Sequence, residues 1–309
     1  MRGRANPEPA TRSALGSESI RASLTTVTPT AYHGAMFPVP TSLSPSRVES
    51  FLSCPMQFRF ARIEKIAEPP AIHMTRGSLV HRALELLFTR PAALRTVEAA
   101  VAALDEAIVE YRIDPDFTEL HLTEAQADVL FADSLALVHK YLQMEDPRSV
   151  RDIGLELRLE AAVGDLTLRG IIDRLDLDDN GGLIVVDYKT GRAPSANYEQ
   201  GKMTGVHFYS FLCDALFGRI PAKIRLMYLK TGEVIEATPS AQSVRFVSTR
   251  TNAVLKAVER ACLTGSFQPR VSNLCGSCSF KQWCPAFGGS PDLAAVEAPV
   301  VFRAIDAAA

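Results

Sequence analysis

The chain has 309 residues, 47% hydrophobic and 22% charged, enough apolar material for one large domain or two small ones. Its 33 Lys and Arg against 35 Asp and Glu give a formal net charge of -2, so overall charge offers no attraction to nucleic acid and such a partner requires a local basic patch. No apolar run reaches the length of a membrane span, and no N-terminal stretch has the layout of an export signal, which predicts a cytoplasmic protein.

Residues 1–40 read as a tail, rich in Ser, Thr, Pro and Arg without an apolar period. Met36 stands just before the first structured-looking segment and is a second candidate start. "SLSPSRVESFLSCPMQFRF" opens the fold, with Ser44 as N-cap, Pro45 at the first helical position, and Val48, Phe51 and Leu52 at helical spacing. "TRGSLVHRALELLF" is a helix with Leu79, Ala83, Leu86 and Leu87 on one side. Thr96 to Met144 is helical with a break near Asp114-Pro115, so residues 90–147 form a helical insertion. "DIGLELRLEAAVGDLTLRGIIDRLDL" alternates as strands around a Gly164-Asp165 turn, and "LIVVDYK" is a buried strand. "SANYEQGKMTGVHFYSFLCDALFG" is a helix with Val206, Tyr209, Cys213 and Leu216 on one face. A hairpin turning at Thr231-Gly232 and a further helix from Ser243 follow. From Phe267 the chain is rich in Cys and Pro, and residues 291–309 read as a second, frayed tail. Helices, strands, helix, strands, helix describe an α/β core with a helical insertion.

"GIIDRLDLDDNGGLIVVDYKTGR" places charges beside the most apolar strand. Asp173 and Asp187 share a face if the turn between their strands holds an odd number of residues. A three-residue turn, Asp179-Asn180-Gly181, with Gly181 left-handed, sets them opposite each other, about 5 Å apart at Cβ. Lys189, two residues beyond Asp187, points the same way. Two carboxylates this close repel unless a cation lies between them, and a hard divalent ion with Mg²⁺ chemistry suits that arrangement. Lys189 would then hold a water or stabilise phosphoryl charge. Taken alone, the same residues describe a solvated strand end.

Cys275, Cys278 and Cys284 form C-x₂-C-x₅-C in "CGSCSFKQWCP", and Cys54 stands alone far upstream. Four thiolates suit a tetrahedral zinc or an iron–sulfur cluster, and either would pin the N-terminal helix to the C-terminal segment. Cys213 and Cys262 read as small core residues.

In this order, "SPSRVESFLSCPMQFRF", "GSLVHRALELLF", "GIIDRLD", "VVDYKTG" and "CGSCSFKQWCP" resemble the RecB-family exonucleases of the PD-(D/E)XK superfamily, and the type also resembles the AddB nuclease domain and CRISPR adaptation nucleases. The resemblance spans about residues 41–287. It implies a restriction-endonuclease-like mixed sheet flanked by helices, a nuclease domain over residues 41–290, and an iron–sulfur segment over 267–287. It makes His81, Asp173 and Asp187 ligands of Mg²⁺ or Mn²⁺, Lys189 the catalytic lysine, and Cys54, Cys275, Cys278 and Cys284 the ligands of a [4Fe–4S] cluster. Glu156 matches an accessory acidic position. The family's core helix carries Gln and, four residues on, Tyr. Tyr209 fits the Tyr, but Gly205 occupies the Gln position, leaving His207 or Gln200 as substitutes.

Arg169, Arg174, Lys189, Arg192 and Lys202 cluster around these motifs in sequence and are candidates for phosphate contacts. The expectation is a metal-dependent DNA exonuclease of recombination or repair. No P-loop is present, so it acts alone or with a separate helicase. The alternatives are a CRISPR adaptation nuclease and a non-catalytic iron–sulfur DNA-binding module.

Overall fold

The alternation and apolar runs of the sequence assemble into a mixed seven-stranded sheet. The computed structural model describes residues 20–21, 35–163, 166–194 and 196–306. The strands are β1 (Ile20–Arg21), β2 (Ser42–Leu43), β3 (Asp152–Val163), β4 (Leu166–Leu177), β5 (Leu183–Lys189), β6 (Lys223–Tyr228) and β7 (Glu233–Ala237). They lie in the order β1-β3-β4-β5-β6-β7, with β2 beside β4. The pairs β3–β4, β4–β5 and β6–β7 are antiparallel, whereas β5–β6 is parallel. A parallel pair needs a crossover, and α7 (Ala196–Phe217) supplies it. The expected Gly164-Asp165 turn lies outside the described residues.

The helices start where the capping residues predict. Ser44 accepts a hydrogen bond from the Arg47 amide at 3.3 Å and Pro45 follows as the first residue of α1 (Pro45–Ser53). Then come α2 (Pro55–Phe58), which runs into a π-helical turn, and α3 (Ile72–Thr89). The insertion contains α4 (Val97–Tyr111), α5 (Pro115–Thr118) and α6 (Glu124–Met144), capped by Thr96, Asp114 and Thr123. After β7 comes α8 (Ala241–Thr264), ended by left-handed Gly265, and the described chain finishes in α9 (Ala294–Asp306).

Each face of the sheet has its own core. Leu183 and Val185 of β5 pack with Phe51, Leu212 and Val258 from α1, α7 and α8. Val186 and Tyr188 pack with Leu79, Leu87, Ala103 and Tyr141 from the α3–α4–α6 layer. Burial on both faces is why "LIVV" is apolar without alternation.

The β3–β4 hairpin exchanges these faces partway along. Leu157, Leu159 and Ala161 belong to the first core, while Leu155 packs against the second. The residue between, Glu156, has φ +44°, left-handed backbone that a side chain with Cβ seldom adopts. The paired residues on either side, Leu155 with Arg174 and Leu157 with Ile172, place Glu156 opposite Asp173.

Three expectations change. The turn between β4 and β5 has five residues, 178–182, because the Asp178 carboxylate accepts from the Asn180 and Gly182 amides and closes a wider loop. Five is still odd, and Gly181 is left-handed at φ +76° as expected. Residues 35–40 are not tail: Phe37 bonds through its amide to the Cys262 carbonyl at 3.0 Å and sets its ring edge-on to Phe267. The segment 291–309 contains α9, whose Ala294, Ala298 and Phe302 recur every four residues and bury in the first core against Phe280 and Trp283.

Candidate active site

The face exchange concentrates polar chemistry at one end of the sheet. In the β4–β5 ladder Arg174 pairs with Val186, so the next residues outward, Asp173 and Asp187, face each other across the strands. From β3, Glu156 reaches Asp173. From α3, His81 reaches over the strand ends. One donor atom each from His81, Glu156 and Asp173 lies within 4.8 Å of the others. One imidazole nitrogen and several carboxylate oxygens form a donor set suited to Mg²⁺ or Mn²⁺.

The surrounding backbone holds these ligands. The Tyr188 amide donates to Asp173 Oδ2 at 2.6 Å, and the Tyr188 carbonyl lies 3.1 Å from His81 Nε2. With Nε2–H given to that carbonyl, His81 Nδ1, 3.6 Å from Asp173 Oδ1, keeps its lone pair for a ligand. Asp187 is buried, its Oδ2 lies 2.5 Å from Lys189 Nζ, and Tyr209 lines the same cleft.

The electrostatics follow from this crowding. Burial and the neighbouring Asp173 push the Glu156 carboxyl up to about 7. Burial, then repulsion from Asp173, raises Asp187, with Lys189 opposing. Burial would lower His81, but the Asp173, Asp187 and Glu156 carboxylates outweigh it and its pKa is raised. Lys189 behaves alike: Asp187 outweighs its desolvation, so it stays an ammonium. Tyr209 is held well above its ordinary value by burial and the same carboxylates, so it remains a neutral donor.

Of the predicted residues, His81, Asp173, Asp187, Lys189 and Tyr209 lie at this end of the sheet, and Glu156, an accessory position by resemblance, joins His81 and Asp173. Tyr188 was not foreseen, since it acts through backbone groups that no motif marks. Arg174 is a correction. Its side chain is 0% exposed and points into the second core, where it is held by Asp176, Glu145, Tyr188 and Tyr141, so it faces no phosphate. Arg169 pairs with Glu160 at 3.0 Å. The side chains of Gln200 and Lys202 lie outside the described residues, and His207 does not line the clefts that open onto the site.

Two clefts meet here. One, beside the N-terminal end of α1, is lined by Ser44, Arg169, Asp187 and Tyr209. The other, beside α3, is lined by His81, Arg82, Glu156 and Tyr188.

The cysteine segment forms a separate centre. Cys54, Cys275, Cys278 and Cys284 line one small pocket with Phe60 and Phe280. The Cys54 and Cys275 sulfurs accept from the Arg270 and Ser272 amides at 3.5 and 3.4 Å. Burial, with Cys54 and Cys275 nearby, pushes the Cys278 thiol up. Cys213 and Cys262 are wholly buried core residues as expected, pushed up to about 12 and about 11 by burial.

An α/β fold with a mixed sheet flanked by helices, carrying an acidic cluster and a lysine at one end of its strands, has the architecture of restriction-endonuclease-like nucleases. The chain belongs to the PD-(D/E)XK nuclease superfamily, whose pattern matches residues 42–285. Among solved structures it is similar to SSO0001, at 15% identity and a TM-score of 0.38 over 81% of this chain and 88% of that one. It is also similar to a candidate exonuclease from Eubacterium rectale, at 9% identity and a TM-score of 0.47 over 82% and 92%. No curated protein matches it in sequence. No helix among the described residues is long and apolar enough to cross a membrane.

Proposed function

We propose that this nuclease is a divalent-metal-dependent exonuclease acting on DNA in recombination or repair. The observation that carries the reading is the convergence of His81, Glu156 and Asp173 within 4.8 Å, beside the Asp187–Lys189 pair. His81, Glu156, Asp173 and Asp187 would hold Mg²⁺ or Mn²⁺, which supplies Lewis acidity to the phosphodiester and acidifies water. The chain's own residues supply position and charge. Tyr188 fixes Asp173 and His81 through its backbone. Lys189, kept cationic by Asp187, orients the attacking water and stabilises charge on the phosphoryl oxygens. Tyr209 stands in the cleft with Asp187 and offers a neutral hydroxyl there. Unwinding, where needed, falls to a separate helicase.

The four cysteines hold a [4Fe–4S] cluster in this reading. Three of the cysteines come from one short segment and Cys54 comes alone from far upstream, and all four share one pocket with Phe60 and Phe280, a layout that suits a cluster bridging two segments. The cluster would join α1 to the segment after Phe267.

The test uses end-labelled linear DNA and covalently closed circular DNA, each with Mg²⁺ or Mn²⁺. Linear DNA should be degraded and circles should survive. Cleavage of circles at the same rate overturns exonuclease action, and no cleavage with either ion overturns the nuclease reading. Protein purified without air should contain about four irons per chain. Stoichiometric zinc without iron overturns the cluster alone.

A further inference from the structure

Two side chains, Arg158 and Lys189, line both clefts. Asp187 opens into the first cleft and Glu156 into the second, so the cations stand where one becomes the other. Lys189 is already paired with Asp187 at 2.5 Å. Arg158 is exposed and makes no ion pair with a described residue. It stands two residues beyond Glu156 on β3, about 7 Å along a strand, which is comparable with the step between successive phosphates of an extended nucleic-acid strand. Its charge is felt at Glu156, where it opposes the upward shift of that carboxyl. An exposed arginine is ordinarily just solvated. This one stands at the threshold of two clefts, one step from a converged donor set, in a protein whose net charge of -2 demands that attraction to a polyanion be local.

We propose that Arg158 grips the backbone phosphate next to the scissile one, on a DNA strand that enters by the α1 cleft and leaves by the α3 cleft. Arginine suits the task because its planar fork binds two phosphate oxygens at once. The proposal rests on the nuclease reading and adds a substrate contact and a strand path to it.

The test measures binding apart from cleavage. Asp187→Asn protein, alone and combined with Arg158→Ala, is titrated with a fluorescein-labelled single-stranded oligonucleotide in chelator across a salt series. Arg158→Ala should weaken binding about fivefold to tenfold and make the log–log salt slope shallower by about 0.7, the share of one phosphate contact. Arg158→Lys should recover part of the affinity. Arg245→Ala, which removes the same charge from an exposed position on α8 away from both clefts, should change neither. Equal affinity and slope for Arg158→Ala and its parent overturn the proposal, as does an equal loss from Arg245→Ala. Unchanged thermal melting of Arg158→Ala excludes misfolding. If wild-type protein cleaves DNA yet Arg158→Ala binds like its parent, only the Arg158 contact fails. If wild-type protein neither binds nor cleaves DNA, the nuclease reading fails with it.

Discussion

Arg174 and Lys189 are cations on neighbouring strands of one hairpin, and they live in opposite conditions. Arg174 is 0% exposed, forked onto Asp176 at 2.9 Å, and bonded to Glu145 at 2.5 Å and to the Tyr188 hydroxyl at 2.6 Å. The Phe88 ring covers its guanidinium at 4.4 Å. Lys189 has one close carboxylate, keeps 44% of its side chain exposed and looks into both clefts. The same contrast holds for the carboxylates: Asp176 is saturated by Arg174, while Asp173 and Glu156 crowd together with too little positive charge between them. Saturated charges fasten the insertion to the sheet. Undersaturated charges leave the site ready for a cation and a phosphate.

The largest effect should come from the open side. Lys189→Ala and Asp187→Asn should each slow DNA cleavage at least about 100-fold, the scale of a lost electrostatic contact in a transition state, with the fold retained. Wild-type rates in either purified variant would show that the open side is not the site. On the sealed side, Arg174→Met strands Asp176 in the core, leaves Glu145 to Arg225 and Tyr141, and should cost about 3–5 kcal/mol in urea unfolding. A midpoint equal to wild type would mean the network contributes no stability.

Glu156 gives a smaller, pH-dependent effect. Its pKa is about 7 in the fold against an ordinary 4.5, so between those values the metal-free native state keeps a proton that the unfolded chain gives up. Native protein then binds more protons than unfolded protein, and its stability must fall as pH rises through this window. Thermal melts in chelator should show that fall for wild type and a flatter profile for Glu156→Gln. Parallel profiles would remove Glu156 from the crowded group. The smallest effect is expected for Tyr209→Phe, about tenfold or less in cleavage rate, because it deletes one hydroxyl from the cleft that Asp187 lines and leaves the donor set itself in place.

The sheet and its acidic end were legible for a physical reason. Period-two alternation and turn parity are local properties, and parity survived even though the turn holds five residues instead of three. Arg174 was misplaced by counting neighbours along the chain, although alternation from Asp173 already turns it to the other face. The position of Glu156 beside Asp173 depends on the face exchange along the β3–β4 hairpin, which arises from packing against two cores and leaves no mark in one strand's composition. Helix α9 was missed because its alanines resemble a frayed tail and a proline, Pro299, stands inside it, yet the four-residue recurrence of Ala294, Ala298 and Phe302 was there to be read.

The packing of the Cys-rich segment also sets a temporal order. Phe60 meets Phe280 at 5.1 Å between ring centroids, and Arg59 bonds Asp292 at 2.9 Å across 233 residues of chain. A growing polypeptide cannot finish the core around Phe60 until those distant residues have been made. Contacts of such long sequence separation close slowly, after the local helices of the insertion have formed. The ribosome therefore carries a chain whose α3–α4–α6 layer can form early, while the core under α1 waits for its partners to emerge.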